Sequence, residues 1–80
     1  MQTRRLNGTA LQVIRELAGL RHGQLAKRAE VDPGYLTKLE NGSRQPSPAV
    51  LRRLADALGV SFEAISFPVV VEEPPVGAAA

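Results

Sequence analysis

The stretch HGQLAKRAEVDPGYLTKLENG, residues 22–42, leaves the chain very few ways to fold. Leu25, Ala26 and Ala29 recur at helical spacing, and so do Leu36 and Leu39. Between the two periodic runs, Asp32 is a good N-cap, and Pro33 takes the first helical position, where a missing N–H costs nothing. Val31 and Leu36 then fall at the two positions of a hydrophobic staple. Gly42, after Asn41, supplies the left-handed residue that stops the second helix. Two short helices joined this tightly must cross steeply, and Ala26 is small enough to let them touch.

At about 100° of rotation per residue, Leu36, Leu39 and Glu40 share one side of the second helix. Gly34, Lys38 and Asn41 lie opposite, flanked by Thr37 and Tyr35. The apolar side packs inward, so the outward side carries a cation, an amide, a hydroxyl and bare glycine backbone. Such a face suits the DNA major groove, where Lys donates to guanine and the Thr methyl meets thymine. The same residues also describe an ordinary solvated helix face. The arrangement as a whole is that of a helix-turn-helix.

The chain has 80 residues, enough for one small domain with a thin margin of stability. It contains no cysteine and one histidine, so neither a disulfide framework nor a zinc site is expected, and no cofactor is implied. No run of about 18 apolar residues is present, and no hydrophobic signal core follows the first residues. The expectation is an intracellular, cytoplasmic protein with no membrane partner. The net charge of +2 hides an asymmetry: residues 1–60 hold all ten Lys and Arg against five acids, whereas residues 61–80 hold three acids and no base. A basic body with an acidic tail points to a polyanionic partner for the body. Eight of the ten cations are arginine, which suits phosphate contacts and equally fits a GC-rich genome.

Taken in order, residues 1–6 read as a loose arm in which Arg4 and Arg5 are either phosphate or minor-groove contacts or simply a basic end. Asn7 or Thr9 caps a first helix running to about Gly19, with Ala10, Leu11, Ile14, Leu17 and Ala18 as its buried stripe and Arg15 at the edge. Arg21 is a poor N-cap, and Arg21 and His22 oppose the helix dipole unless an anion meets them. They are phosphate contacts or bystanders, and Arg44, in the loop SRQPSP, stands under the same two readings. Ser47 caps and Pro48 opens a helix striped by Val50, Leu51, Leu54, Ala55 and Leu58, which Gly59 ends. Ser61 caps a final short helix through about Ser66, with Val60 and Ile65 as a staple. Five short helices make a compact all-α domain over residues 1–66. FPVVV, from Phe67, is β-prone and predicts a short strand over 67–71, after which the tail lacks periodicity and is expected to be disordered.

The run LQVIRELAGLRHGQLAKRAEVDPGYLTKLENGSRQPSPAVLRRLADALGV resembles the Cro/repressor-type (Xre-type) helix-turn-helix domain across most of residues 11–65. The specific pieces are Leu25 with Ala26, Val31-Asp32-Pro33, Leu39-Glu40-Asn41-Gly42, the loop Pro46-Ser47-Pro48, and LADALGVS from Leu54. The resemblance implies a five-helix, lambda-repressor-like bundle in which Pro33, Gly34, Thr37 and Lys38 occupy base-reading positions. It implies phosphate contacts from Arg21 and His22, from Asn41, and from Ser43 and Arg44 in the loop that follows. It also implies an ion pair between Arg15 and Glu40, which ties the first helix to the recognition helix.

Three residues depart from the family pattern. Arg21-His22 replaces the usual Ser/Asn-Gln; a Gln there braces a recognition residue and a phosphate together, and His does not do so in the same way. Glu30 holds the turn position usually given to glycine, at a strain of about 1 kcal/mol if its φ is positive. Pro33 and Gly34 stand where base-reading Gln residues can occur, so direct readout rests on Thr37 and Lys38, with Asp32 or Tyr35.

These readings lead to a sequence-specific, double-stranded-DNA-binding transcriptional regulator, a repressor acting as a homodimer on a palindromic operator. The alternative is an antitoxin whose tail holds a toxin while the body binds the shared promoter. An enzyme is not expected, since no nucleophile–base set, phosphate-cradling loop or metal cluster is present. The dimer contact is expected to draw on FPVVV, pairing either with its symmetry mate or back onto its own domain.

Overall fold

The computed structural model describes residues 2–70, with side chains placed over residues 4–69. Strand β1 (Gln2–Leu6) leads into helices α1 (Gly8–Leu17), α2 (His22–Ala29), α3 (Pro33–Glu40) and α4 (Pro48–Leu58), a 3₁₀ turn over Phe62–Ile65, and strand β2 (Ser66–Val70). The helix starts follow from local chemistry. The side chains of Asn7, Asp32 and Ser47 accept hydrogen bonds from the N–H groups of Ala10, Tyr35 and Val50, satisfying donors that the first turn of a helix leaves unpaired. One apolar cluster, Leu6, Leu11, Leu25, Ala26, Ala29, Leu36, Leu39, Leu51, Leu54, Ala55 and Ile65, holds the elements together. Each fully buried leucine contributes about 1.5–3 kcal/mol.

The expected five-helix, all-α bundle is corrected at both ends of the chain. The fifth helix is a single 3₁₀ turn, and the supposed loose arm is β1, paired antiparallel with β2 in a two-stranded sheet. Cα partners run from Gln2 with Val70 to Leu6 with Ser66. Asn7 N–H extends the ladder to the Ile65 carbonyl at 2.8 Å. What sequence reading missed is that Leu6 is apolar and fully usable by the core, where it is buried. Residues 71–80, for which disorder was expected, lie outside the described residues.

The register explains Pro68. Hydrogen-bonded and non-bonded pairs alternate along an antiparallel ladder. The bond from Asn7 to Ile65 puts the bonded pairs at odd positions of β1. Leu6 accordingly turns its polar groups outward, where its N–H donates to Gln45 Oε1 at 2.8 Å and its carbonyl accepts from Gln45 Nε2 at 3.4 Å. Pro68, opposite Arg4, is a non-bonded partner, so its missing N–H falls on the outer edge and costs the ladder nothing. On that edge the Ser66 carbonyl already accepts from Arg4 Nη2 at 3.1 Å. The expected pairing of FPVVV with a second copy therefore meets an edge that lacks a donor at its centre, while the other edge is taken by β1.

In α1, Leu11 is buried and Ile14 half-buried, but Leu17 is 83% exposed and Ala18 is also outside the core. The expected stripe was too wide: Leu17 lies about 120° round the helix from Leu11. Gly8, at the first position of α1, abuts the end of α3, and a Cβ there would lie 2.5 Å from the Leu39 carbonyl oxygen and 2.6 Å from that of Glu40. The positive end of α1 thus sits against the carbonyl end of α3, a favourable pairing of helix dipoles.

Candidate nucleic-acid interface

Helices α2 and α3 and the turn between them form the helix-turn-helix. The turn is made by Glu30, whose φ of 57° is left-handed, as glycine's is at the ends of the other helices. With Glu30 so placed, its N–H reaches the Lys27 carbonyl at 3.2 Å and the Val31 N–H reaches the Ala26 carbonyl at 2.9 Å, closing α2. Arg53 Nη2 from α4 donates to the Glu30 carbonyl at 3.5 Å. At the far end of α3, Gly42 N–H bonds to the Leu39 carbonyl at 3.3 Å and Ser43 N–H to the Lys38 carbonyl at 3.0 Å, ending the helix in the same way.

The inner side of α3 is anchored. Leu36 and Leu39 are fully buried, and Arg15 reaches from α1 to grip Glu40 with two bonds, Nε to Oε2 at 2.8 Å and Nη2 to Oε1 at 3.3 Å. The third guanidinium nitrogen, Nη1, donates to the Leu20 carbonyl at 3.0 Å. The two side chains are only 11% and 9% exposed, so the pair is largely withdrawn from water and its loss leaves a charge stranded.

The outer side of α3 presents Pro33, Gly34, Thr37, Lys38 and Asn41 to solvent, while Tyr35 packs against the core and is half-buried. Asp32 is exposed, but its Oδ2 is engaged in accepting from Tyr35 N–H at 3.2 Å. Asn41 Oδ1 accepts from Ser43 N–H at 2.9 Å and from Ser43 Oγ at 2.6 Å, which leaves its amide NH₂ pointing away with two donors. Arg21, Ser43 and Arg44 are exposed beside this face.

Thr37 is held from two sides. Its hydroxyl donates to the Pro33 carbonyl at 3.1 Å, and it lies 3.1 Å from His22 Nε2. With the single hydroxyl hydrogen directed at Pro33, the imidazole is the donor, Nε2–H to Oγ1. His22 therefore braces a neighbour on the outer face of α3 with its ring. The start of α2 also holds a residue that sequence reading passed over. Gln24 Oε1 accepts from the Arg21 N–H at 2.8 Å, the reciprocal half of a capping box, whose other half an arginine side chain, having no acceptor, does not make. The signal was there, since a Gln three residues after an N-cap is half of a capping box. Gln45, which ties β1 to the loop after α3, had no local signal.

The family model for the "Helix-turn-helix domain" matches residues 8–65, α1 through the 3₁₀ turn. The chain belongs to the helix-turn-helix domain family. Among helix-turn-helix relatives, it is 39% identical over 67 residues to "Uncharacterized HTH-type transcriptional regulator Rv0474" of Mycobacterium tuberculosis, covering 84% of this chain and 48% of that protein. It is 34% identical over 61 residues to "HTH-type transcriptional repressor RghR" of Bacillus subtilis, covering 75% of this chain and 45% of the relative. The chain thus spans about half the length of these two proteins. The helix-turn-helix fold superposes on the master regulator for biofilm formation SinR, whose structure is a complex with DNA, with a TM-score of 0.68 and 27% identity over 72% of this chain and 94% of that one. These relatives are named as regulators, not as enzymes. No helix among the described residues is long and apolar enough to cross a membrane.

Proposed function

We propose that this helix-turn-helix protein is a sequence-specific, double-stranded-DNA-binding transcriptional regulator that represses by occupying a palindromic operator as a dimer. The observation that carries this reading is the contrast between the two sides of α3. One is locked by Leu36, Leu39 and the Arg15–Glu40 pair, and the other offers hydrogen-bonding side chains to solvent. A rigid helix with an open polar face suits the major groove, and SinR, of similar fold, is a protein seen with DNA.

In this reading Thr37 and Lys38 contact base edges, and Pro33 and Gly34 let the backbone come close, with exposed parts of Asp32 and Tyr35 beside them. Arg21, Asn41, Ser43 and Arg44 contact phosphates. The ring of His22 is committed to Thr37, so its phosphate contact falls to its backbone N–H, one of the unpaired donors at the start of α2. Gly23 beside it has no neighbour that an added Cβ would meet, so a phosphate has an open approach. Repression is supported by the relative RghR, named as a repressor, and dimerisation by the small footprint of one recognition helix.

Selection of bound sites from random duplex DNA at a stated salt concentration tests the reading. The expected result is an enriched site with two inverted half-sites about 34–36 Å apart. Recovery of unenriched sequence, or of a single half-site with a monomer bound, overturns it.

A further inference from the structure

The two-stranded ribbon has two outer edges, and they differ. Bonded pairs fall at odd positions of β1, so the N–H and C=O groups of Gln2, Arg4 and Leu6 point away from β2. Among the described residues no third strand lies beyond them, and no backbone group outside β2 pairs with Gln2 or Arg4. At Leu6 the edge is already filled. Gln45 gives Oε1 to its N–H and Nε2 to its carbonyl, the same exchange that a residue of a neighbouring strand makes. Exposed edges are commonly guarded by a proline or a charged side chain. The edge of β2 has its proline, Pro68. On β1 the charge at the middle of the edge is turned away: the Arg4 guanidinium is drawn across the ribbon, Nε donating to Ser66 Oγ at 2.9 Å and Nη2 to the Ser66 carbonyl at 3.1 Å.

We infer that this edge is occupied by β1 of a second copy, antiparallel about a two-fold axis at Thr3, so that two ribbons join into one four-stranded sheet in the order β2-β1-β1-β2. The inference rests on the dimer proposed above and says where that dimer is held. A two-fold axis brings the same patch of both copies together, and an antiparallel strand edge matches itself under that operation. Two-stranded sheets are marginal on their own, so each ribbon gains from the other. The register follows from which groups are open. Outward groups must meet outward groups, which leaves an axis at Gln2, Thr3 or Arg4. An axis at Arg4 sets two arginines directly opposite, an unfavourable like-charge pair, and drives the second strand against Leu6, where Gln45 already sits. An axis at Gln2 makes a single bonded pair. The axis at Thr3 pairs Gln2 with Arg4 of the partner subunit twice over and stops short of Leu6, so Gln45 keeps its place.

The protein has no cysteine, so Thr3→Cys in the full chain carries a single thiol. Across the axis the two thiols form a non-bonded pair with Cα atoms about 4.5 Å apart, within the reach of a disulfide. In a glutathione redox buffer, Thr3→Cys should form covalent dimer severalfold more readily than Gln12→Cys, an exposed position on α1. Arg4→Pro removes the donor at the middle of the edge and leaves the bonds to β2 untouched. It should raise the dimer dissociation constant severalfold in sedimentation, whereas Arg4→Ala, which keeps the N–H, should not. If Arg4→Pro fails to fold, the cross-link decides alone. Equal cross-linking at the two positions, or a dimer as tight in Arg4→Pro as in Arg4→Ala, overturns the inference. So does a chain that stays monomeric at the highest concentration reached, whose edge is then left to an extended segment of a different protein. Site selection separates the two levels: inverted half-sites without the Thr3→Cys cross-link overturn this inference alone, and a single half-site bound by a monomer overturns the dimer with it.

Discussion

His22 Nε2 and Thr37 Oγ1 stand 3.1 Å apart across the helix-turn-helix, one at the first position of α2 and the other on the outward face of α3. The contact fixes where the Thr37 methyl and hydroxyl point, because the hydroxyl is also tied to Pro33. His22→Ala is therefore expected to relax base preference at the same position that Thr37→Ala does. The two changes together should cost less than the sum of each alone, since they remove parts of one contact. Binding-site selection on the two single variants, and affinities for all three on one operator, check this; independent, additive effects would show that the bond does not orient Thr37.

Lys38 and Arg44 should separate base reading from phosphate binding. Lys38→Ala is expected to cost about 1–3 kcal/mol on the preferred site and to loosen preference at one base pair, whereas Arg44→Ala weakens all sequences alike. If selection shows the preferred site altered by Arg44→Ala and intact in Lys38→Ala, the two assignments are reversed.

Affinity for DNA should fall steeply with salt, as the contacts from Arg21, Arg44 and neighbouring donors displace condensed counterions. A dimer neutralising a few phosphates per half gives a log–log slope of several units. Arg21→Ala should make that slope shallower by about one for each phosphate contact it removes. A titration series across salt concentrations reads both quantities, and a flat series would rule out the interface.

Glu40→Ala should lower stability by about 3 kcal/mol, because it strands Arg15 in a site with little water. For a domain of this size, each kcal/mol shifts the midpoint by about 4–8 °C, so the loss is visible in a thermal melt. An unchanged midpoint would mean that the Arg15 side chain simply turns out to solvent.

Glu30→Gly should act in the opposite direction. A left-handed glutamate carries about 1 kcal/mol of backbone strain that glycine does not. The same melt should show the variant raised by a few degrees. A lowered midpoint would mean that the flexibility glycine adds to the unfolded chain outweighs the relief.

The helices were legible because their punctuation is local. Asp32 before Pro33, Ser47 before Pro48, and Gly42 and Gly59 each act within a turn of their own position, and the helical period identifies Leu36 and Leu39 as the inward side of α3. The sheet was not legible. Five residues at one end pair with five at the other, and nothing in QTRRL or SFPVV names its partner. Gln45 meets Leu6 across 39 residues for the same reason. At the candidate interface, the exposure of Gly34, Lys38 and Asn41 follows from rotation alone. The bond from His22 to Thr37 spans the turn and depends on how the two helices cross, which no single-helix pattern encodes.

The pairing of β1 with β2 has a consequence for how the protein is made. Strand β1 must wait for β2, which the ribosome adds later at about 5–20 residues per second. For some seconds the growing chain has its helical segments, whose contacts are mostly near in sequence and form early, but no mate for residues 2–6. Leu6 meanwhile has only an incomplete core to enter. The ribbon closes only when β2 clears the ribosome, so until then the nascent chain is open to proteases and chaperones around β1.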